Sequence, residues 1–144
     1  MRMPTTLLGA AAALIIAGAS PSFAHEADAS VAKSPPAAPY QQVSKLVKLP
    51  DFIPGLGQLF VDPATLPAGP FLAYDRKGEL VSTIYMIPIE DLKPDKGFDD
   101  LAVSGAAVDH VDVHFNAGHP GVETPHAHLV LWHVTSKEES RVAK

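Results

Sequence analysis

The 144-residue sequence contains no cysteine, which excludes disulfide bonds and thiolate metal sites. Any metal ion would therefore rest on nitrogen and oxygen ligands. Basic residues are also scarce, because 11 Lys and Arg stand against 16 Asp and Glu, for a formal net charge of −5. This acidic balance argues against a nucleic-acid partner. The length fits one small domain.

The apolar run near the start of the chain is too short for a comfortable membrane span, which needs about 20 residues. This run, Leu7–Ala19, follows the positively charged Arg2 and precedes a small-residue cleavage site that ends at Ala24. We predict that residues 1–24 form a signal peptide, so that the protein is periplasmic or secreted, with cleavage after Ala24. No stable membrane anchor is expected after cleavage, and an uncleaved anchor is the minor alternative.

The mature chain would begin at His25, whose free amine and imidazole could chelate copper together, although chance placement at a cleavage site is the ordinary explanation. Residues 25–42 are rich in alanine and proline and predict a disordered leader. Residues 43–135 alternate short apolar runs with turns and form the expected β domain. Residues 136–144 are expected to form a charged, frayed tail.

Turn residues punctuate the central part of the chain at short intervals. Residues 71–74 and 79–87 flank a turn that ends in Gly78, as expected for a hairpin. The pattern predicts a mainly β fold: a single small antiparallel sandwich- or barrel-like domain of about six strands with little helix. Because the core of such a domain is small and its edge strands are unpaired, a homo-oligomer is expected.

Most of the chemistry lies in residues 108–134, which hold six of the seven histidines. Residues 108–115 alternate with a period of two, which is typical of a half-buried strand. Its apolar face carries Val111, Val113 and Phe115, and its titratable face carries His110, Asp112 and His114.

A Gly- and Pro-rich loop, Asn116–Thr124, leads to a second alternating run at residues 126–134. If the two runs pair as an antiparallel hairpin, the register that matches apolar residues gathers the titratable ones on one face. That face carries His110, Asp112, His114, His126 and His128. One allowed pairing sets His114 opposite His126 and Asp112 opposite His128.

Imidazoles on such neighbouring positions can converge on one ion, because cross-strand Cβ atoms lie about 5 Å apart. We therefore predict a divalent transition metal, namely zinc, copper, iron or manganese, with His114, His126 and His128 as the primary ligands. His110, Asp112 and His119 would be alternative ligands or hydrogen-bond partners of ligands. Glu123 in the loop could also complete the coordination.

Other interpretations of the cluster stay open. The titratable face could be polar or pH-responsive in a non-catalytic envelope or stress-response protein, or it could perform metal-free acid/base catalysis. A metal-dependent cupin-like enzyme is a further alternative, since His126 and His128 give the paired histidines of cupins but the full cupin spacing with its Glu is missing. His133 lies on the apolar side and is expected to be a hydrogen-bonded structural histidine.

The segment resembles an uncharacterised family of bacterial exported proteins. The resemblance rests on VDHVDVHF, GHPG, PHAH and LWHV, which match a His-x-Asp-x-His strand, a Gly-His-Pro loop and a Pro-His-x-(Asp or His) strand, and it extends from Leu49 to Val134. The resemblance implies that the protein is exported, has a mostly β fold and forms oligomers. It implies no particular activity, since none is established for the family. The family pattern falls on His110, Asp112, His114, His119, His126 and His128. Some relatives have Asp in place of His128 and a further His in place of Val130.

Overall fold

The computed structural model describes residues 28–144. The predicted signal peptide and His25 lie outside the described residues, so those predictions stay predictions. Within the described part, no helix has both the length and the apolar character that a membrane crossing requires.

Six antiparallel strands form a single sheet in the described part of the chain. The strands are β1 (Gln41–Gln42), β2 (Gln58–Val61), β3 (Phe71–Tyr74), β4 (Leu80–Pro88), β5 (His110–Asn116) and β6 (His126–Trp132). Their order across the sheet is β1-β2-β3-β4-β6-β5. Short 3-10 helices occupy Val43–Lys45, Pro63–Thr65, Ile89–Asp91 and Glu138–Val142. The predicted mainly β class is therefore confirmed.

The two histidine-rich runs form the β5–β6 hairpin, with β6 inside the sheet and β5 at its edge. His114 lies opposite His128, and Asn116 lies opposite His126. The predicted sharing of one face is confirmed, because even-numbered residues pair with even-numbered residues. The pairing itself is displaced by two residues from the one considered above. Polarity alternation fixes only the parity of a hairpin, and the long connecting loop leaves the register free to shift by two.

The histidine-bearing face of this hairpin is the interior face of the sheet. Val130 and Trp132 share it and are 2% and 4% exposed. The apolar face of β5 points outward instead, and its Val113 and Phe115 are 65% and 70% exposed. Alternation predicts two chemically different faces but does not say which face the rest of the chain will cover.

Two segments outside the strands cover the interior face. Val43, in the segment after β1, and Val142, near the C-terminus, are both buried in the main core with Val61 and Phe71. Arg141 also bonds the buried carboxylate of Asp75, at 2.7 Å. The expected frayed tail is therefore packed, because the buried Val142 side chain and the Arg141–Asp75 ion pair are among the contacts that hold it to the sheet.

The predicted disorder of residues 25–42 does not hold for the part that the structure describes. Val31 is buried against Phe60, Leu72 and Tyr74 on the outer face of the sheet. The Tyr74 hydroxyl donates a hydrogen bond of 2.7 Å to the Val31 carbonyl. The proline-rich composition gave no indication that Val31 and Tyr40 pack this segment against the sheet before β1.

Candidate metal centre

Two histidines stand side by side at the start of β6. His126 and His128 are two residues apart on a strand, so both side chains point to the interior face. His126 is 0% exposed. The two Nε2 atoms lie 3.0 Å apart.

The loop between β5 and β6 brings a third imidazole to the same place. Gly118 has a φ of 130°, and a Cβ added there would meet the Glu123 carbonyl oxygen at 2.4 Å, so only glycine fits. The Asn116 side chain accepts a hydrogen bond from the Gly118 amide at 2.9 Å. The resulting tight loop places His119 Nε2 3.2 Å from His126 Nε2.

Hydrogen bonds to the backbone determine the tautomers of two of these imidazoles. His126 Nδ1 donates to the Thr124 carbonyl oxygen at 2.7 Å. His119 Nδ1 donates to the Pro120 carbonyl oxygen at 3.1 Å. A carbonyl oxygen can only accept, so both Nδ1 atoms carry the proton and both Nε2 atoms of the neutral rings expose lone pairs. Metal-ligating histidines are oriented by the same kind of hydrogen bond.

The three Nε2 atoms therefore face one another with too few protons to satisfy them. His128 could donate one Nε2 proton to His126, but the lone pair of His119 would still face that of His126 at 3.2 Å. A divalent cation bound between the three rings would remove this conflict. Two nitrogens bound to tetrahedral zinc at about 2.0–2.1 Å are about 3.3 Å apart, close to the spacing found here.

Protonation is a poor alternative to a metal ion at this place. Burial lowers the pKa of His128 to about 4, and the neighbouring His126, His119 and His114 act in the same direction. His128 thus favours the neutral imidazole, which is the form that binds transition metals.

An apolar cavity of about 270 Å³ adjoins the three imidazoles. His119 and His128 line it at one end. Its other walls come from the interior face of the sheet, including Ile84 and Met86, and from the segment that follows β1, including Val47. The imidazole group is therefore next to a space large enough for a small molecule.

A second group of side chains that could hold a metal lies at the other end of the hairpin and consists of His110, Asp112 and Glu139. Each ring nitrogen of His110 faces a carboxylate: Nε2 lies 2.9 Å from Glu139 and Nδ1 lies 2.8 Å from Asp109. In its protonated form, which these hydrogen bonds favour by raising its pKa, His110 donates to both carboxylates. Asp112 accepts a hydrogen bond of 2.9 Å from the Trp132 indole. His110, Asp112 and Glu139 therefore already have hydrogen-bond partners within the protein.

His114, a predicted primary ligand, belongs to neither group. Its side chain is 68% exposed, and its Nε2 lies 3.9 Å from Asp112. The structure therefore brings His126 and His128 together with His119 from the loop, whereas His110 and Asp112 join Glu139. Glu139 was not predicted, since a charged residue beyond the last strand has no pattern that relates it to β5.

His133 is held by hydrogen bonds, as predicted. Its Nε2 lies 2.8 Å from the Thr83 hydroxyl and 3.1 Å from the Ser104 hydroxyl, and its Nδ1 lies 3.0 Å from the Ala107 carbonyl oxygen. It ties the loop before β5 to the outer face of the sheet.

Over residues 28–144, these features define a small fold built on one antiparallel sheet, with three convergent imidazoles beside an apolar cavity. Residues 75–115 match the TTHB210-like family, described as hypothetical protein TTHB210. The crystal structure of hypothetical protein TTHB210 from Thermus thermophilus is similar, with 44% identity over 66% of this chain and 93% of that chain and a TM-score of 0.58. The chain belongs to this uncharacterised family. None of the curated proteins matches it.

Proposed function

We propose that this protein binds one divalent transition metal ion through the Nε2 atoms of His119, His126 and His128. The observation that carries the proposal is the convergence of three Nε2 atoms, two of them deprotonated because Nδ1 donates to a carbonyl oxygen. Three imidazoles and a free coordination position are typical of zinc and copper sites. The described residues add no carboxylate to this group. The absence of oxygen ligands makes manganese a weaker candidate than zinc or copper.

Elemental analysis tests the proposal on protein purified without a polyhistidine tag. After dialysis against zinc or copper and then against metal-free buffer, we expect close to one equivalent of bound ion. His119→Ala should lose it, since His119 lies in the loop and its loss should leave the sheet intact. His114→Ala is the matched control, because His114 is an exposed histidine outside the group. Less than about a tenth of an equivalent in the parent protein would refute the proposal.

A metal-dependent enzyme is the second candidate, and the adjoining cavity favours it. Three protein ligands leave a coordination position open, as catalytic metal sites require. His119 and His128 both belong to the imidazole group and both line the cavity. A flat surface site would have favoured a purely structural or pH-responsive role instead.

We propose further that the site works in the periplasm or outside the cell, since residues 1–24 have the charged start, apolar run and cleavage site of a signal peptide. Sequencing the N-terminus of the protein recovered from a periplasmic or culture-medium fraction tests this. A new terminus at His25 would support export with cleavage, and an intact Met1 in the cytoplasmic fraction would contradict it.

Self-association is proposed from β5, which lies at the edge of the sheet with an exposed apolar face. Unpaired edge strands and exposed apolar strips are commonly covered in oligomers. Sedimentation velocity should show an assembly that Phe115→Lys weakens. A single monomeric species at all concentrations would rule the assembly out.

A further inference from the structure

The cavity beside the three imidazoles has walls of two different kinds. Aliphatic and aromatic side chains form most of it, from strands β2 to β4 on one side and from residues 43–56 on the other. Among the described residues that line it, three have polar side chains: Asn116, His119 and His128. All three come from the end of β5, the loop and β6. The cavity is therefore apolar along its length and polar at one end.

The volume of about 270 Å³ limits the size of an occupant. A cavity of about 150 Å³ accommodates benzene, so this one would hold a molecule of about eight to ten carbon atoms. Leu46 and Leu66 line the cavity and are 36% and 43% exposed. They mark the side from which such a molecule could enter.

The charge at the polar end selects the chemistry of the occupant. An ion held by three neutral imidazoles keeps its full double positive charge, and no aspartate or glutamate among the described residues lines the cavity. An uncompensated cation next to apolar walls favours an anionic partner, because burying an unpaired charge is unfavourable. A carboxylate supplies both the charge and an oxygen ligand for the open coordination position.

We infer that the cavity binds a small hydrophobic carboxylate, with the hydrocarbon tail between the sheet and residues 43–56 and the carboxylate at the histidine end. The inference rests on the proposed metal site, since the ion supplies the positive charge. The occupant is thus an amphipathic monoanion, such as a medium-chain fatty acid or an aryl carboxylate of the same size.

Isothermal titration calorimetry with octanoate tests this. The whole gene is expressed, and the protein is purified as the cell produces it, without a tag, and loaded with zinc. Zinc-loaded protein should bind octanoate. Acetate lacks the hydrocarbon tail, so its affinity should be lower by a factor of about 100 or more. 1-Octanol lacks the charge, so the zinc-loaded protein should bind it with an affinity lower than that for octanoate by a factor of about ten or more. The zinc-free protein should likewise bind octanoate with an affinity lower by a factor of about ten or more. Zinc content measured after the titration shows that octanoate has not extracted the ion.

A pair of leucine variants tests the location of the tail. Leu46→Trp should fill the mouth of the cavity and weaken octanoate binding about tenfold or more while zinc binding stays unchanged. Leu92→Trp is the matched control, since Leu92 is an exposed leucine, at 57%, that does not line the cavity. Circular dichroism verifies that both variants fold. If Leu46→Trp does not fold, the comparison of octanoate, acetate and 1-octanol on the parent protein tests the inference by itself.

The outcomes separate this inference from the proposed metal site. If zinc binds with one equivalent and octanoate does not bind, or binds equally well with and without zinc, the inference is refuted and the metal site stands. If acetate binds as tightly as octanoate, the cavity does not hold the tail and the inference is refuted. If the parent protein binds no zinc in the elemental analysis, the metal site itself fails and the inference fails with it.

Discussion

The two ends of the β5–β6 hairpin carry histidines in opposite chemical situations. At the loop end, His119, His126 and His128 aim three Nε2 atoms at one another. At the open end, His110 lies between the carboxylates of Asp109 and Glu139. One group has unsatisfied acceptors and no negative charge, and the other brings its own counter-charges.

The difference teaches that a cluster of titratable side chains is not by itself a metal site. Both groups place their ligand atoms within 4.8 Å of one another. Counting donors and acceptors separates them, because only the loop-end group lacks the protons that its lone pairs need. The open-end group is a hydrogen-bonded network that holds the C-terminal segment against the sheet.

The largest expected contrast between the two ends is the response of the protein to zinc. At a free zinc concentration of 1,000 times the dissociation constant, binding to the folded state alone adds about 4.1 kcal/mol to the free energy of unfolding. For a domain of this size, that should raise the melting temperature by more than about 10 °C. Differential scanning calorimetry measures it. His110→Ala should keep the full zinc response and His119→Ala should lose it; the reverse pattern would place the ion at the open end.

The loop offers the next largest effect. Gly118→Ala would force an alanine to a φ of 130° and place its Cβ 2.4 Å from the Glu123 carbonyl oxygen. We expect a loss of about 1–3 kcal/mol in stability and zinc binding weaker by about tenfold or more, since His119 would move. Gly55→Ala is the control: Gly55 has a φ of 87° and nothing within 4 Å of its added Cβ.

Gly55→Ala should reproduce the backbone strain alone, with a stability loss of about 1 kcal/mol and unchanged zinc affinity. Chemical denaturation and zinc titration on both variants measure the two effects. Equal zinc affinity in Gly118→Ala and the parent would mean that the loop does not position His119.

Much of this arrangement could be predicted from the sequence. The alternation of polar and apolar residues predicted the two strands, their shared titratable face and the structural role of His133, because burial imposes a period of two on a strand. The family resemblance marked His119 as well. Whether His114 or His119 lies next to His126 and His128 could not be predicted, since it depends on a register shift of two residues and on the path of the loop.

The group of His110, Asp112 and Glu139 could not be predicted as a whole, because it depends on contacts between residues that are distant in sequence. Glu139 reaches His110 from the C-terminal 3-10 helix, and nothing in the local pattern around Glu139 relates it to β5. The sequence also did not predict which face of β5 is interior. That depends on the segments that cover the sheet, residues 43–56 and 138–142, whose irregular backbone gives no periodic signal.

The two ends should also respond to pH in opposite directions in metal-free protein. Burial lowers the pKa of His128 to about 4 from 6.5, so the unfolded chain binds a proton first and stability falls as the pH drops from 6.5 to 4. The hydrogen bonds to Asp109 and then Glu139 raise the pKa of His110 above 6.5. The contribution of His110 to the free energy of unfolding is therefore fully present below pH 6.5 and is lost as the pH rises through the raised pKa.

Urea denaturation between pH 4 and pH 9 measures these two responses. His128→Asn should reduce the loss of stability on acidification, and His110→Gln should reduce the loss on alkalinisation. Parallel pH profiles for both variants and the parent would show that neither imidazole titrates differently in the folded protein, which would remove the electrostatic distinction between the two groups.

The smallest effect is expected from the open end, at Glu139. Glu139→Gln keeps the shape of the side chain and removes the negative charge next to His110 Nε2. The two side chains are 25% and 32% exposed, so solvent screens the pair and the stability loss should lie close to the resolution of urea denaturation. Zinc affinity should stay as in the parent protein. A measurable loss of zinc binding would mean that the carboxylate end contributes to the ion site, and the two ends of the hairpin would then act as one group.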